Sequence, residues 1–205
     1  MKSNQDYKNA ALDALKGHWA PSVLLTFAFF AICAMSSIFG IEEAGSILSC
    51  AITICVLLPL TVGMYNAYRN LLLGRSDDIV ASAFRIGFND WARNVGAMLL
   101  MTLYILLWTL CLIVPGIIKG ISYSLTPFIL RDNPELSAKE ALGLSEKMME
   151  GRKMDFFLLS LSFIGWHILA TLSLCIGYLW LIPYMYTTTV AFYEDVKADY
   201  ESKRL

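Results

Sequence analysis

Acidic residues are missing from the most apolar parts of this 205-residue chain. No Asp or Glu occurs in residues 19–41, 44–68, 94–130 or 156–193. Ion-coupled transporters and proton pumps use intramembrane carboxylates as relays. Their absence argues against a coupled transporter and leaves uniport open. Histidine is scarce, with only His18 and His167. The five cysteines (Cys33, Cys50, Cys55, Cys111, Cys175) form no C-x-x-C pair and no zinc spacing. Packing inside the apolar stretches is their expected role. Phosphate loops, dinucleotide fingerprints and the G-x-S-x-G elbow are also missing. No enzyme signature and no cofactor follow from the sequence. The net charge of −1 carries no case for nucleic acid.

Apolar length is what the chain has in quantity. The apolar fraction is 57%, the charged fraction is 16%, and the mean hydropathy is +0.58. Soluble domains are about 25% charged. A helix crosses the hydrocarbon core with about 20 apolar residues. The runs 19–41 and 44–68 are one span each. The run 94–130, interrupted only by Lys119, and the run 156–193 are too long for one. As single helices each would reach about 55 Å against a core of about 30 Å. Each is expected to fold back, at Pro115-Gly116 in the first and at Cys175-Ile176-Gly177 in the second. The fold class is therefore an all-α bundle of about six spans in three hairpins: 21–40, 46–68, 94–113, 116–131, 156–174 and 177–193. The fourth is the shortest.

Fifteen of the sixteen Lys and Arg fall between these runs, in an N-terminal stretch, in 69–93, in 131–153 and in the tail. With six spans all four stretches share one side. The positive-inside rule makes that side, with both termini, cytoplasmic, and places the protein in the inner cell membrane. Glu42, Glu43 and Lys119 then face outward. The acidic residues of the cytoplasmic stretches alternate with cations and read as a solvated face. The first run is too long, and its leader too acidic, for a cleaved secretory signal.

Three cytoplasmic segments have helical amphipathicity. In the first, Leu12, Leu15 and Trp19 oppose Lys8 and Lys16. In the second, Val80, Phe84, Phe88 and Trp91 share one face, and Arg85, Asn89 and Arg93 another. In the third, Ser137 and Glu140 fit a capping box. Such helices lie in the headgroup plane or pack under the bundle, and Trp19 and Trp91 suit an interfacial belt. Each hairpin also has a proline on its return side (Pro59, Pro115, Pro183) and a following tyrosine (Tyr68, Tyr123, Tyr193), an approximate threefold repeat.

Several residues have two readings. Lys119 either contacts an anion near the outer surface or snorkels to that interface. His167, without a second ligand nearby, reads as a hydrogen-bonded packing residue. The hydroxyls of the last hairpin bond backbone carbonyls or neighbouring helices. Gly116-Ile117-Ile118-Lys119-Gly120 fits G-x-x-x-G and suits packing within the chain.

From Pro115 to Tyr193 the chain resembles a bacterial integral membrane family, domain of unknown function 975. The resemblance rests on Pro115-Gly116, Asp132-x-Pro134-x-Leu136-Ser137, Glu140-Ala141-Leu142, Ser145, Met148-Met149, Gly151 and Lys153. It continues through Phe156, Trp166, Pro183-Tyr184 and Phe192-Tyr193, and Ala14-Leu15-Lys16-Gly17-x-Trp19 also fits. More loosely the chain is similar to membrane domains attached to some glycerophosphodiester phosphodiesterases. The resemblance implies a multispanning membrane protein and supplies no catalytic residue. The expected function is non-enzymatic, with cytoplasmic-face binding of membrane lipids or of a membrane-protein partner, a homo-oligomer included. The competing expectation is a small permease or lipid-translocating subunit, and an intramembrane enzyme ranks third.

Overall fold

The computed structural model describes residues 2–39, 43–75 and 78–203. Gly40, Ile41, Glu42, the Glu43 side chain and Arg204 lie outside the described set. The fold is all-α: 84% helical, with no strand among the described residues. The helices are α1 (Asn4–Leu15), α2 (Trp19–Phe39), α3 (Glu43–Ile52), α4 (Leu58–Leu72), α5 (Ile79–Asn89) and α6 (Trp91–Cys111). They continue with α7 (Ile113–Tyr123), α8 (Thr126–Asp132), α9 (Ala138–Met148), α10 (Lys153–Leu161), α11 (Ile164–Leu172) and α12 (Tyr178–Ser202). A π-helical turn, Thr53–Leu57, joins α3 to α4.

Five segments are long and apolar enough to cross a membrane: Trp19–Ile38, Ser46–Leu72, Trp91–Cys111, Ile113–Asp132 and Lys153–Leu172. Together they point to a membrane-embedded protein. The sixth expected span falls on α12, which is 25 residues long and continuous through Pro183. Its second half carries Glu194, Asp195, Lys197 and Asp199, so it is long enough but less apolar than the other five.

Two hairpin turns differ in detail from expectation. The chain reverses at Leu112, an extended residue at φ −159° and ψ 138°, not at Pro115-Gly116. Pro115 sits in the first turn of α7, where backbone N–H groups have no helical partner and a missing one costs nothing. Gly116 makes the close α6–α7 contact instead: a Cβ there would lie 2.2 Å from Thr109 Oγ1. Gly120, the other half of the G-x-x-x-G pattern, has open space around it. In the last hairpin the turn does fall at 173–177, with Leu174 and Cys175 both left-handed at φ 53° and 67°.

The molecule is packed at one end and open at the other. Tyr7, Leu60, Met64, Tyr68, Phe128 and Phe192 belong to one buried core near the chain termini. The hairpin tips expose Ile38, Ile47, Leu110, Ile113, Leu172 and Leu174. Four of the five cysteines are exposed on this apolar surface rather than packed inside, and Cys33 is half-buried. The hydroxyls of the last hairpin bond as expected: Thr187, Thr188 and Thr189 each donate to the carbonyl four residues back.

The three amphipathic helices pack against the long ones. α1 lies on α12, α5 on α4, and α9 on α6, α7 and α8. α5 runs antiparallel to α4 at backbone contact. A Cβ on Gly63 would lie 1.9 Å from the Ala83 carbonyl oxygen, and one on Gly87 would lie 2.5 Å from that of Pro59. The face of α5 that makes this contact is Ile79, Ser82, Ala83 and Gly87, all buried.

Candidate functional site at the terminal end

Polar chemistry concentrates where the return helices end. Arg69, near the end of α4, donates to Asp132 at the end of α8 and to Glu194 in α12. Asp132 also accepts from Tyr193 at 2.7 Å and Lys197 at 2.6 Å. One carboxylate and one guanidinium thereby join the ends of three hairpins. A second cluster ties the N-terminal helix to the C-terminal one. Arg152 donates to Asp195 at 2.7 Å and to the Tyr7 hydroxyl at 3.2 Å, and Tyr7 donates to Asp195 at 2.7 Å. Burial pushes the Asp195 carboxyl up, and the hydrogen bonds from Arg152 and Tyr7 outweigh it, so the group stays below the ordinary carboxylate value. Burial, reinforced by Asp195, drives the Tyr7 hydroxyl the other way. The solvated acidic face expected here is in part a set of half-buried ion pairs.

Lys119, expected to contact an anion or to snorkel to the outer interface, has a partner within the chain. Its ammonium donates to Glu146 of α9 at 2.6 Å and lies 5.4 Å and 5.7 Å from the ring centres of Trp108 and Tyr123. Ser145 donates to the Ser122 carbonyl at 2.7 Å one residue away. The lysine therefore docks α9 on α7.

Arg93 donates to the carbonyls of Leu130, Asn133 and Leu136. It caps the end of α8, where unpaired carbonyls attract a cation. Ser137 and Glu140 form the expected capping box: Glu140 N–H donates to Ser137 Oγ at 3.3 Å, and Ser137 N–H to Glu140 Oε2 at 2.9 Å. Ser3 and Asp6 form another at the start of α1, a signal present in the sequence but not drawn from it. Trp91, which is partly exposed, donates its indole N–H to the Cys55 carbonyl at 2.8 Å. His167 lies 3.4 Å from the Tyr178 hydroxyl.

Between α5, α6 and α8 lies a cleft of about 370 Å³. Arg85 and Arg131 line it with Asn89, Asp90, Asn94 and Leu130. Both arginines are exposed, and neither has a salt bridge among the described residues. Asn94 is buried on the wall and donates to the Gly87 carbonyl at 2.8 Å. Asp90 is the carboxylate of the cleft, and Asn89 lies 3.4 Å from it. Beside the cleft Phe84 and Phe88 stack with ring centres 6.3 Å apart, both partly exposed. The structure thus separates the expected second amphipathic segment into three faces: small residues buried on α4, two outward phenylalanines, and a polar edge.

With this geometry in place, the family comparison is decisive. A family model described as "Protein of unknown function (DUF975)" matches residues 79–200, more than half of the chain. The chain belongs to this family. The match begins at the first residue of α5 and covers the arginine cleft, the α9 capping box and most of α12. No curated protein and no solved structure is similar enough to count as a match. The looser similarity to phosphodiesterase-attached membrane domains rests on no match.

Proposed function

We propose that this member of DUF975 is a six-crossing protein of a bacterial inner membrane, with both termini in the cytoplasm. Its terminal face binds anionic lipid headgroups, and it carries out no chemistry of its own. The observation that supports this most is the cleft in which two exposed arginines form no salt bridge among the described residues and share the lining with one carboxylate, Asp90. A phosphate or phosphodiester is the anion that suits paired guanidinium groups. Phe84 and Phe88 beside it offer apolar surface to the acyl boundary, as interfacial helices do. The cavity between α7 and α10, with Val114, Ile117, Ile121, Phe157 and Lys153 among its lining residues, exposes almost only apolar surface and does not suit a permease path.

Full-length protein in nanodiscs containing both phosphatidylglycerol and phosphatidylcholine provides the test. After partial delipidation, mass spectrometry under native conditions reads which lipid stays bound. Wild type is expected to retain phosphatidylglycerol, and the R85Q/R131Q double variant to lose most of that preference. An unchanged preference in the double variant would overturn the assignment.

A further inference from the structure

A second concavity lies far from the arginines in sequence and is of a different kind. It is bounded by α1 and the start of α2 on one side and by α11 and α12 on the other. Its volume is about 370 Å³, and its walls include Leu12, Trp19, Trp166, Leu169, Trp180 and Tyr184. Three of the five tryptophans of the chain meet here. Trp166, Leu169 and Trp180 are about half exposed, so the groove opens sideways onto the apolar surface of the last hairpin. Ala170 and Gly177 make its narrow base. A Cβ on Gly177 would lie 2.8 Å from the Ala170 Cα, which holds the start of α12 against α11.

One helical turn from the groove residue Leu12 is a cation that has no salt bridge among the described residues. Lys8 is one helical turn before Leu12 on the same face of α1. Its ammonium donates to the Ser162 carbonyl at 3.1 Å and lies 4.4 Å from the centre of the Phe163 ring. Among the described residues it has no salt bridge, whereas Lys16 on the same helix pairs with Asp13. Burial holds the Lys8 ammonium below its ordinary pKa. Phe163 in turn packs edge-on against Tyr184, with ring centres 5.2 Å apart. The buried Phe163 ring thus links the Lys8 ammonium to Tyr184, a residue of the groove wall.

A cation one helical turn from an indole-lined trough with an exposed apolar wall matches one kind of occupant. We infer that the groove between α1 and the last hairpin seats one acyl chain of a phospholipid, with the phosphate at Lys8. Indole rings supply large apolar area at low conformational cost. An anionic phosphate would give the Lys8 ammonium the anionic partner it lacks among the described residues. The site shares with the preceding reading only the embedding in lipid, and no residue of the arginine cleft takes part.

Acyl-chain photolabelling tests the inference on the full chain in nanodiscs. The probe is phosphatidylglycerol with a diazirine in one acyl chain, present at low mole fraction, and adducts are mapped by peptide mass spectrometry. Adducts are expected to concentrate on Trp166, Leu169 and Trp180 and to saturate as probe increases. Leu169→Trp fills the groove from an exposed wall, and Lys8→Gln removes the cation. Each is expected to lower the adducts at least fivefold, while R85Q/R131Q leaves them unchanged. Thermal melts of each variant in the same lipid check that the fold is intact. Labelling spread over all exposed helices in proportion to probe would overturn the inference, as would indifference to Leu169→Trp. Loss with Leu169→Trp but not with Lys8→Gln would overturn the placement of the phosphate.

Discussion

The indole N–H of Trp91 donates to the carbonyl of Cys55 at 2.8 Å. Cys55 stands four residues before Pro59, whose missing N–H would be its α-helical donor. The π-helical turn at Thr53–Leu57 marks the place where the ladder is interrupted. Trp91, at the first position of α6, thereby ties the second hairpin to the proline break of the first. Trp91→Phe keeps the ring and removes the donor, and is expected to cost about 1–2 kcal/mol. Pro59→Ala supplies a backbone donor to the same carbonyl. In that background the cost of Trp91→Phe should shrink. A double-mutant cycle from thermal or denaturant melts in detergent measures the difference, and strictly additive effects would refute the coupling.

Gly63 and Gly87 let α4 and α5 touch along their backbones. The clashing atoms are carbonyl oxygens of the opposite helix, which cannot turn away as a side chain could. Gly63→Ala and Gly87→Ala should each force the pair apart and destabilise the protein by about 1–3 kcal/mol. Gly96→Ala, where a Cβ meets nothing within 4 Å, is the control and should be neutral or slightly stabilising.

Arg69 is 4% exposed and holds two carboxylates from two other hairpins. Arg69→Met leaves Asp132 and Glu194 without their shared partner. The expected loss is about 3–5 kcal/mol, the usual result of breaking a buried pair from one side. Glu194→Gln should restore part of that loss in the Arg69→Met background, because Arg69 is the salt-bridge partner of Glu194 among the described residues, whereas Asp132 keeps Lys197. A melt showing no rescue would count against the shared-partner arrangement.

Acid should find the same end of the molecule. Asp195 is held below its ordinary value of 3.8 by Arg152 and Tyr7. Asp6 is lowered by the backbone and hydroxyl of Ser3, and Glu140 by the hydroxyl and backbone of Ser137. A depressed folded-state pKa gives stability that is complete above the unfolded value and lost as pH falls through the folded one. The melting midpoint is therefore expected to be flat from pH 7 to 5 as far as these groups act, and to fall below about pH 4. Asp195→Asn should lower the midpoint at pH 7 and shallow the acid limb.

Apolar run length and charge placement were enough to read the helical class, the sites of the long helices and the reversal at Cys175. They could not locate the partners of the charges. Lys119 looked solitary because Glu146 is 27 residues away, and nothing in local periodicity joins them. Asp132, Glu194 and Asp195 looked solvated for the same reason: the arginines that pair with them are 63, 125 and 43 residues away. The buried face of α5 was missed because its residues are small. Ala83 and Gly87 carry little hydrophobic signal, yet they bring α5 to backbone contact with α4. Pro115 misled because proline suits a turn and the first turn of a helix equally well. The arginine cleft was half visible. Arg85 and Asn89 stood on one face, but Arg131 reaches them only through the fold.

The orientation proposed for the chain can be tested along a single helix. α12 has 25 residues, about 37 Å of rise, which exceeds a hydrocarbon core of about 30 Å. Cys175 lies just before it, in the turn of the last hairpin, and is exposed. Ser202 ends it and is exposed as well. If the helix crosses, these two positions face opposite compartments. A variant with Cys175 as its only cysteine should react with a membrane-impermeant maleimide in intact cells. A second variant, with all five native cysteines replaced and Ser202→Cys added, should react only after permeabilisation. Labelling of both in intact cells, or of neither, would put the ends of α12 on one side and refute a crossing. The reverse pattern would keep the crossing but invert the molecule, placing the arginine cleft outside and removing the case for cytoplasmic-leaflet lipid.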